Sequence, residues 1–112
     1  MDKVINFESL NRRLANNNEL LIEILALFIE TMPKHVNNLK TAIEEKNLEN
    51  IKREAHTLKG AAGNISAEKL ANTAKLLEIT GKEGDISSAE LLFPVMKEEY
   101  KELETLIIQK TN

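Results

Sequence analysis

The chain contains no cysteine and no tryptophan, and it has only four glycines, two prolines and one tyrosine. Without cysteine it can form neither a disulfide nor a reactive thiolate, a composition that fits a reducing cytoplasm. Aromatic residues make up 4% of the chain, while Leu, Ala, Ile, Glu and Lys dominate, which favours helices over sheets. The net charge of −3 provides no basic surface for nucleic acid, so we expect no nucleic-acid partner.

Long hydrophobic runs are also missing. The most apolar stretch, residues 20–29, is interrupted by Glu23 and is about half as long as a bilayer span requires. We interpret it as a buried helix or as a docking surface. The apolar segment after Met1 is too short for a signal peptide, so we expect no membrane insertion and a cytoplasmic location.

Helical periodicity is the strongest pattern in the chain. With 112 residues, 42% of them hydrophobic and 29% charged, the chain is predicted to form one globular domain over residues 1–112. Apolar residues recur at steps of three and four in five segments, and no segment alternates as a strand does. The sequence therefore predicts an all-α fold, an antiparallel up-and-down four-helix bundle with a short additional N-terminal helix, Phe7 to Leu14, that covers one end.

The helix boundaries are predicted from caps and helix breakers. Pro33 lacks a backbone donor, so a kink or break is expected near Thr31, and Pro94 is expected to bend the start of the last helix. The expected caps are Asn47 before the third helix, Ser66 before the fourth, Gly81 after the fourth, and a capping box that begins at Ser87 for the fifth.

The third helical segment carries an unusual polar face. Its apolar stripe runs from Leu48 to Ala62, and the neighbouring face holds Lys52, His56, Lys59, Gly60 and Gly63. Each glycine inside a helix costs about 1 kcal/mol relative to alanine, and here two lie one turn apart beside the imidazole. Bare backbone at this place indicates that something bulky approaches the histidine. For Gly63 a helix C-cap is the alternative, but that reading does not explain Gly60.

The segment from Arg53 to Glu78 resembles the histidine-containing phosphotransfer (HPt) domain of multistep phosphorelays. The signature His-x-Leu-Lys-Gly followed by small residues is present from His56 to Gly63, and the likeness extends over nearly the whole chain. One position departs from the family pattern, because Ser66 stands where the family usually has glycine. A serine is a good N-cap, so we expect the turn to persist.

The resemblance implies a role for each residue of the polar face. His56 would be the phosphoacceptor, Lys59 would stabilise the phosphoryl charge, and Lys52, Gly60 and Gly63 would meet the docking partner. The expected partners are response-regulator receiver domains and a hybrid sensor histidine kinase. Mg²⁺ would be carried by the receiver, and no cofactor or metal by this chain, which we expect to be a monomer.

Other functions fit the sequence less well. An enzyme is disfavoured because the chain has no Gly-rich phosphate loop and no nucleotide-binding signature, and because Glu54 is expected to face away from His56, leaving no acid-base pair there. A non-catalytic helical adaptor would keep the apolar stripes but would not need Gly60 and Gly63. His35 has no small-residue neighbours and is assigned no role.

The resemblance leaves the type of phosphotransfer protein open. The chain is compatible with an independent shuttle, with a domain of a hybrid sensor kinase located on the cytoplasmic side of a membrane, and with the phosphoacceptor module of a chemotaxis-type kinase. The residues around His56 resemble the first two types more closely than the third.

Overall fold

The computed structural model describes residues 4–112, and this part of the chain forms five α-helices and no strand. The helices are α1 (Phe7–Arg13), α2 (Asn18–Glu44), α3 (Leu48–Asn64), α4 (Glu68–Glu83) and α5 (Ile86–Thr111). The all-α prediction is thereby confirmed. The start of the chain, on which the signal-peptide prediction depends, lies outside the described residues.

The four long helices form a bundle. Each of α2, α3 and α4 packs against the next helix, and α5 returns to pack against α2. Because the turns between them are short, neighbouring helices are antiparallel, and the bundle measures 42 × 24 × 20 Å. In residues 4–112 no helix combines the length and the apolar character that a membrane crossing needs.

The core consists of the apolar stripes that the periodicity predicts. The predicted stripes of α2 and α4 are buried throughout, whereas Leu48 at the start of α3 is 38% exposed. Residues 20–29 were interpreted as a buried helix or as a docking surface, and each description fits a different face of α2. Leu21 and Leu25 are buried, while Leu20 and Leu27 are exposed. The bundle core and an exposed apolar strip therefore come from the same helical turns.

The short helix α1 closes one end of the bundle, as predicted. The backbone N–H of Asn6 donates to the carbonyl of Ser66 over 2.9 Å, and the Arg13 guanidinium donates to the carbonyl of Asn64 over 3.1 Å. On the other side, the Lys110 ammonium lies 5.0 Å from the centre of the Phe7 ring. These contacts join α1 to the α3–α4 turn and to the end of α5.

The structure corrects the prediction for Ser66. This residue is not the N-cap of α4, because Ala67 occupies that position and makes no side-chain cap. Ser66 instead has φ +57°, a left-handed conformation that glycine adopts most easily, which is a physical reason for a glycine at this position in the family. The Ser66 hydroxyl accepts a hydrogen bond from Arg13, so the turn persists with a serine in it.

The predicted start of α5 is wrong, while the Asn47 cap of α3 is confirmed. The break considered at Pro33 does not occur, since α2 is continuous through it and the buried stripe on both sides of the proline outweighs one missing backbone hydrogen bond. The kink expected there stays a prediction. Helix α5 begins before Ser87, because the Asp85 carboxylate accepts a hydrogen bond from the backbone N–H of Ser88 over 3.0 Å.

Gly81 is not a C-cap but a contact point between α3 and α4. The helix continues to Glu83 and ends at Gly84, whose φ of +73° is left-handed. Gly81 is buried, and a Cβ built on it would lie 2.8 Å from the backbone N of Lys52 and 3.1 Å from the carbonyl O of Leu48. The absence of a side chain therefore allows the two helices to approach closely.

We predict that Gly81→Ala destabilises the bundle by roughly 1–3 kcal/mol, because the added methyl group would overlap the backbone of α3. Gly60→Ala is the matched control, since a Cβ there meets nothing within 4 Å and alanine favours a helix by about 1 kcal/mol. Chemical denaturation of both variants tests this. Equal stability of Gly81→Ala and the unsubstituted protein would contradict the close helix contact.

Candidate functional site

His56 lies on the outer surface of α3. Its neighbours Ala55 and Leu58 are completely buried, and they fix which face of the helix turns to the core. The His56 side chain is 66% exposed, as the sequence predicts. One edge of the imidazole is therefore open to solvent and to any approaching molecule.

A carboxylate that the sequence analysis missed lies beside this histidine. Glu78 of α4 is buried, and its Oε2 lies 2.8 Å from His56 Nδ1. Its Oε1 accepts a hydrogen bond from Lys59 Nζ over 2.7 Å. Glu54 does face away from His56, but the expectation that no carboxylate pairs with His56 was wrong, because the carboxylate comes from the neighbouring helix α4. A signal existed: Glu78 follows Ala74 by four residues, which places a carboxylate on the buried side of α4.

The charge on Glu78 determines which ring nitrogen of neutral His56 carries the proton. The hydrogen bond from Lys59 is the main cause that lowers the pKa of the Glu78 carboxyl, and the bond from His56 adds to it, while desolvation opposes both. An ionised carboxylate can only accept hydrogen bonds, so the proton of a neutral His56 lies on Nδ1. The lone pair is then on Nε2, the ring nitrogen that is directed away from Glu78.

The two lysines predicted for the site have different surroundings. Lys59 is held by Glu78 and is partly buried. Lys52 lies one turn before His56, with its ammonium 3.3 Å from Glu49. It lines a cavity of about 360 Å³ whose wall also includes His56, whereas Lys59 does not line it. The structure thus joins Lys59 to His56 through Glu78 and places Lys52 in the wall of a cavity that His56 also lines.

The two glycines of the polar face are exposed, and a Cβ added at either would meet nothing within 4 Å. Gly63 is not a C-cap, because α3 continues to Asn64, so the alternative reading of Gly63 is wrong. Nothing within residues 4–112 requires glycine at these positions. Nearby, α2 and α3 form a shallow groove lined in part by Ile24, Leu27 and Ala61.

The profile of the Hpt domain family matches residues 23–106, which is most of the chain. This chain belongs to the Hpt domain family. Family membership confirms the resemblance described above, while the roles of the individual residues stay predictions.

Two individual proteins are similar to this Hpt domain. It is 26% identical over 85 residues to the phosphorelay intermediate protein rdeA of Dictyostelium discoideum. That match covers 76% of this chain and 34% of the relative, so the chain spans about a third of the relative's length. In fold, it is similar to histidine-containing phosphotransfer protein B (HptB) of Pseudomonas aeruginosa PAO1, with a TM-score of 0.90, 21% identity, and coverage of 99% of this chain and 96% of the other.

The second histidine of the Hpt domain forms a similar pair in another place. His35 Nδ1 lies 2.6 Å from Oε2 of Glu54, a buried carboxylate, and the His35 side chain is 21% exposed. Asn38 also approaches this carboxylate. The pair joins α2 to α3, so His35 has a structural contact that the sequence analysis did not predict. Within residues 4–112 no group of three or more His, Cys, Asp or Glu residues is placed to hold a metal ion.

We predict a pH dependence of stability that arises from Glu78. Because folding lowers the pKa of this carboxyl below its ordinary value of 4.5, the stability it contributes is complete above that value and is lost as the pH falls through the folded-state pKa. Glu78→Gln should therefore lose less stability than the unsubstituted protein when the pH is lowered below about 4.5. Chemical denaturation at several pH values in this range gives the free energy of unfolding of both proteins. An equal loss of this free energy in both proteins as the pH falls would contradict the prediction.

Proposed function

We propose that this Hpt domain is a phosphorelay intermediate that accepts a phosphoryl group on Nε2 of His56. The donor is the aspartyl phosphate of a receiver domain, and the acceptor is the aspartate of another receiver. The observation that carries the proposal is the pair formed by exposed His56 and buried Glu78. The pair directs the Nδ1 proton inward and leaves a nucleophilic nitrogen on the exposed side.

The transfer step is a nucleophilic displacement at phosphorus. The Nε2 lone pair attacks the phosphorus of the aspartyl phosphate, the bond from phosphorus to the aspartyl oxygen breaks, and the aspartate carboxylate leaves. The imidazole keeps its Nδ1 proton and becomes positively charged as the new N–P bond forms. Transfer to the next receiver is the reverse sequence with a different aspartate.

Glu78 acts as a positioning residue in this step. Its carboxylate fixes the tautomer of His56 and opposes the positive charge that develops on the ring. Lys59 keeps Glu78 ionised, since its ammonium donates to the same carboxylate. Lys59 also lies one turn after His56 on the same helix, so a phosphoryl group on the ring would draw its ammonium toward the new negative charge.

The receiver supplies the rest of the chemistry in this proposal. Its Mg²⁺ and acidic pocket would hold the phosphoryl group during transfer, while Gly60 and Gly63 allow its loops to approach the backbone of α3, and Lys52 meets it at the edge. The chain is thus a phosphocarrier and not a kinase. A hybrid sensor histidine kinase is the proposed source of phosphate, and the cytoplasm the proposed location.

We predict that His56→Gln abolishes phosphate acceptance and leaves the fold intact, because the side chain is exposed. The measurement is incubation with a phosphorylated receiver domain and Mg²⁺, followed by intact mass at neutral pH and after acid treatment. The unsubstituted protein should gain one acid-labile phosphoryl group. The matched control is His35→Gln, which removes the other histidine and should leave acceptance intact.

Two results would contradict this proposal. Retained labelling of His56→Gln would remove His56 from the mechanism. Absence of transfer to the unsubstituted protein from a panel of receivers would favour a non-catalytic adaptor.

We predict that Gly60→Glu lowers the rate of transfer from a receiver more than about tenfold. The added side chain crowds the receiver loops at α3, and its carboxylate repels the acidic pocket of the receiver. Phosphorylation of His56 by phosphoramidate, a small donor, should be nearly unchanged. The control is Thr105→Glu, which adds the same charge to an exposed position of α5, the helix diagonally across the bundle. If Gly60→Glu and Thr105→Glu transfer phosphate equally fast, the glycine is not at the docking surface.

A further inference from the structure

A polar cavity lies between α2 and α3, in addition to the cavity beside His56. Its volume is about 240 Å³, which is below the range of about 300–1,000 Å³ of sites for drug-sized ligands, so it suits a smaller molecule. The polar part of its wall consists of two carboxylates, one guanidinium, two amides and one hydroxyl: Glu45, Glu54, Arg53, Asn38, Asn50 and Thr41.

Glu54 is the buried charge in this wall. It is 5% exposed, and its Oε2 lies 2.6 Å from His35 Nδ1. Its Oε1 has weaker contacts, since the Asn38 amide donates to it over 3.4 Å and the Arg53 guanidinium lies 3.9 Å away. Because Asn38 and Arg53 are themselves wall residues, Oε1 is the oxygen on the cavity side. A buried carboxylate is stabilised by each strong donor that it gains, and this oxygen can accept another hydrogen bond.

The rest of the wall favours a cation. Glu45 is exposed and forms no ion pair with any residue in the range 4–112. It is the C-cap of α2, whose last turn holds no basic residue, so the negative end of the helix dipole is not compensated within that turn. Arg53 is the single cation among the described wall residues, and its side chain is 63% exposed. The wall thus carries more negative than positive charge, which attracts a cationic ligand.

The two carboxylates lie at different heights along α2. Asn38 contacts Glu54, and Glu45 follows Asn38 by seven residues, which corresponds to about 10 Å along the helix axis. The flexible glutamate side chains can shorten this separation. A molecule with two cationic groups joined by a short chain can therefore reach both carboxylates, whereas a molecule with one cationic group reaches only one of them.

We propose that the cavity between α2 and α3 binds a short aliphatic diamine, with one ammonium at Glu54 and the other at Glu45. An ammonium has three N–H donors and no acceptor, so the first donates to Oε1 of Glu54. Arg53 does not block it, because the guanidinium lies beyond hydrogen-bond distance of that oxygen and is largely in solvent. This binding site goes beyond the proposed phosphate transfer and does not depend on it, since His56 is not part of the wall.

The test titrates the whole chain at neutral pH with putrescine, a four-carbon diamine, and follows the backbone amide signals by NMR. Signals of the residues around the cavity should shift until they saturate. Glu54→Gln should weaken binding about tenfold, because it removes a charge-assisted hydrogen bond at a buried position. Glu45→Gln should weaken it about threefold, since an exposed ion pair contributes less. Butylamine, which has one ammonium, should bind the unsubstituted protein and Glu45→Gln equally well, and about threefold more weakly than putrescine binds the unsubstituted protein.

The matched control is Glu44→Gln, which removes an exposed carboxylate from the same end of α2 but outside the cavity wall and should leave the affinity unchanged. Equal weakening by Glu44→Gln and Glu45→Gln would indicate general attraction to an acidic surface and would overturn the site. Absence of saturable binding would overturn it as well, and equal affinities of putrescine and butylamine would overturn the contact with Glu45. Melting curves establish whether Glu54→Gln keeps its fold, and Glu45→Gln tests the site independently because Glu45 is exposed.

Discussion

A carboxylate buried between two helices needs hydrogen-bond donors, and Glu78 accepts hydrogen bonds from two residues of α3, His56 and Lys59. The bonds from His56 and Lys59 offset the cost of desolvation, and the pKa of the carboxyl is lowered in spite of its burial. The same contacts hold the imidazole by its Nδ1 edge and leave the opposite edge exposed. The chemistry proposed for this chain depends on that orientation, since the nitrogen that reacts is the one that Glu78 does not hold.

The position of Glu78 depends in turn on how closely α3 and α4 pack. Gly81 allows the two backbones to come together, and Ala55, Ala62 and Ala74 are completely buried small side chains. Such residues permit a short interhelical distance. The site residues themselves lie on the outer side of this contact. Stability therefore comes mainly from the apolar stripes, whereas the proposed reactivity comes from a few polar side chains at the edge of the interface, of which Glu78 contributes to both.

The two histidines have similar local geometry, although only His56 is proposed to react. His35 and His56 each have Nδ1 within hydrogen-bond distance of a buried glutamate on a neighbouring helix. His56 is 66% exposed and His35 is 21% exposed. Only His56 lies beside exposed glycines and opens onto a cavity with several cations. The phosphoacceptor role proposed for His56 therefore depends on its exposure and the surrounding charge, since His35 has a similar pair with a glutamate.

The sequence by itself determined the helical class, the buried stripes and the exposed face with His56, because these are local patterns with a period of 3.6 residues. The family resemblance came from the motif between His56 and Gly63 and the segment around it. Only the tertiary structure decided what lies opposite that face. Glu78 is 22 positions from His56 and Gly81 meets Lys52 across the interface, and no periodicity within one helix specifies such pairs. The left-handed Ser66 and the continuous helix through Pro33 were likewise decided by packing, because contacts with neighbouring helices outweigh the local preference of one residue.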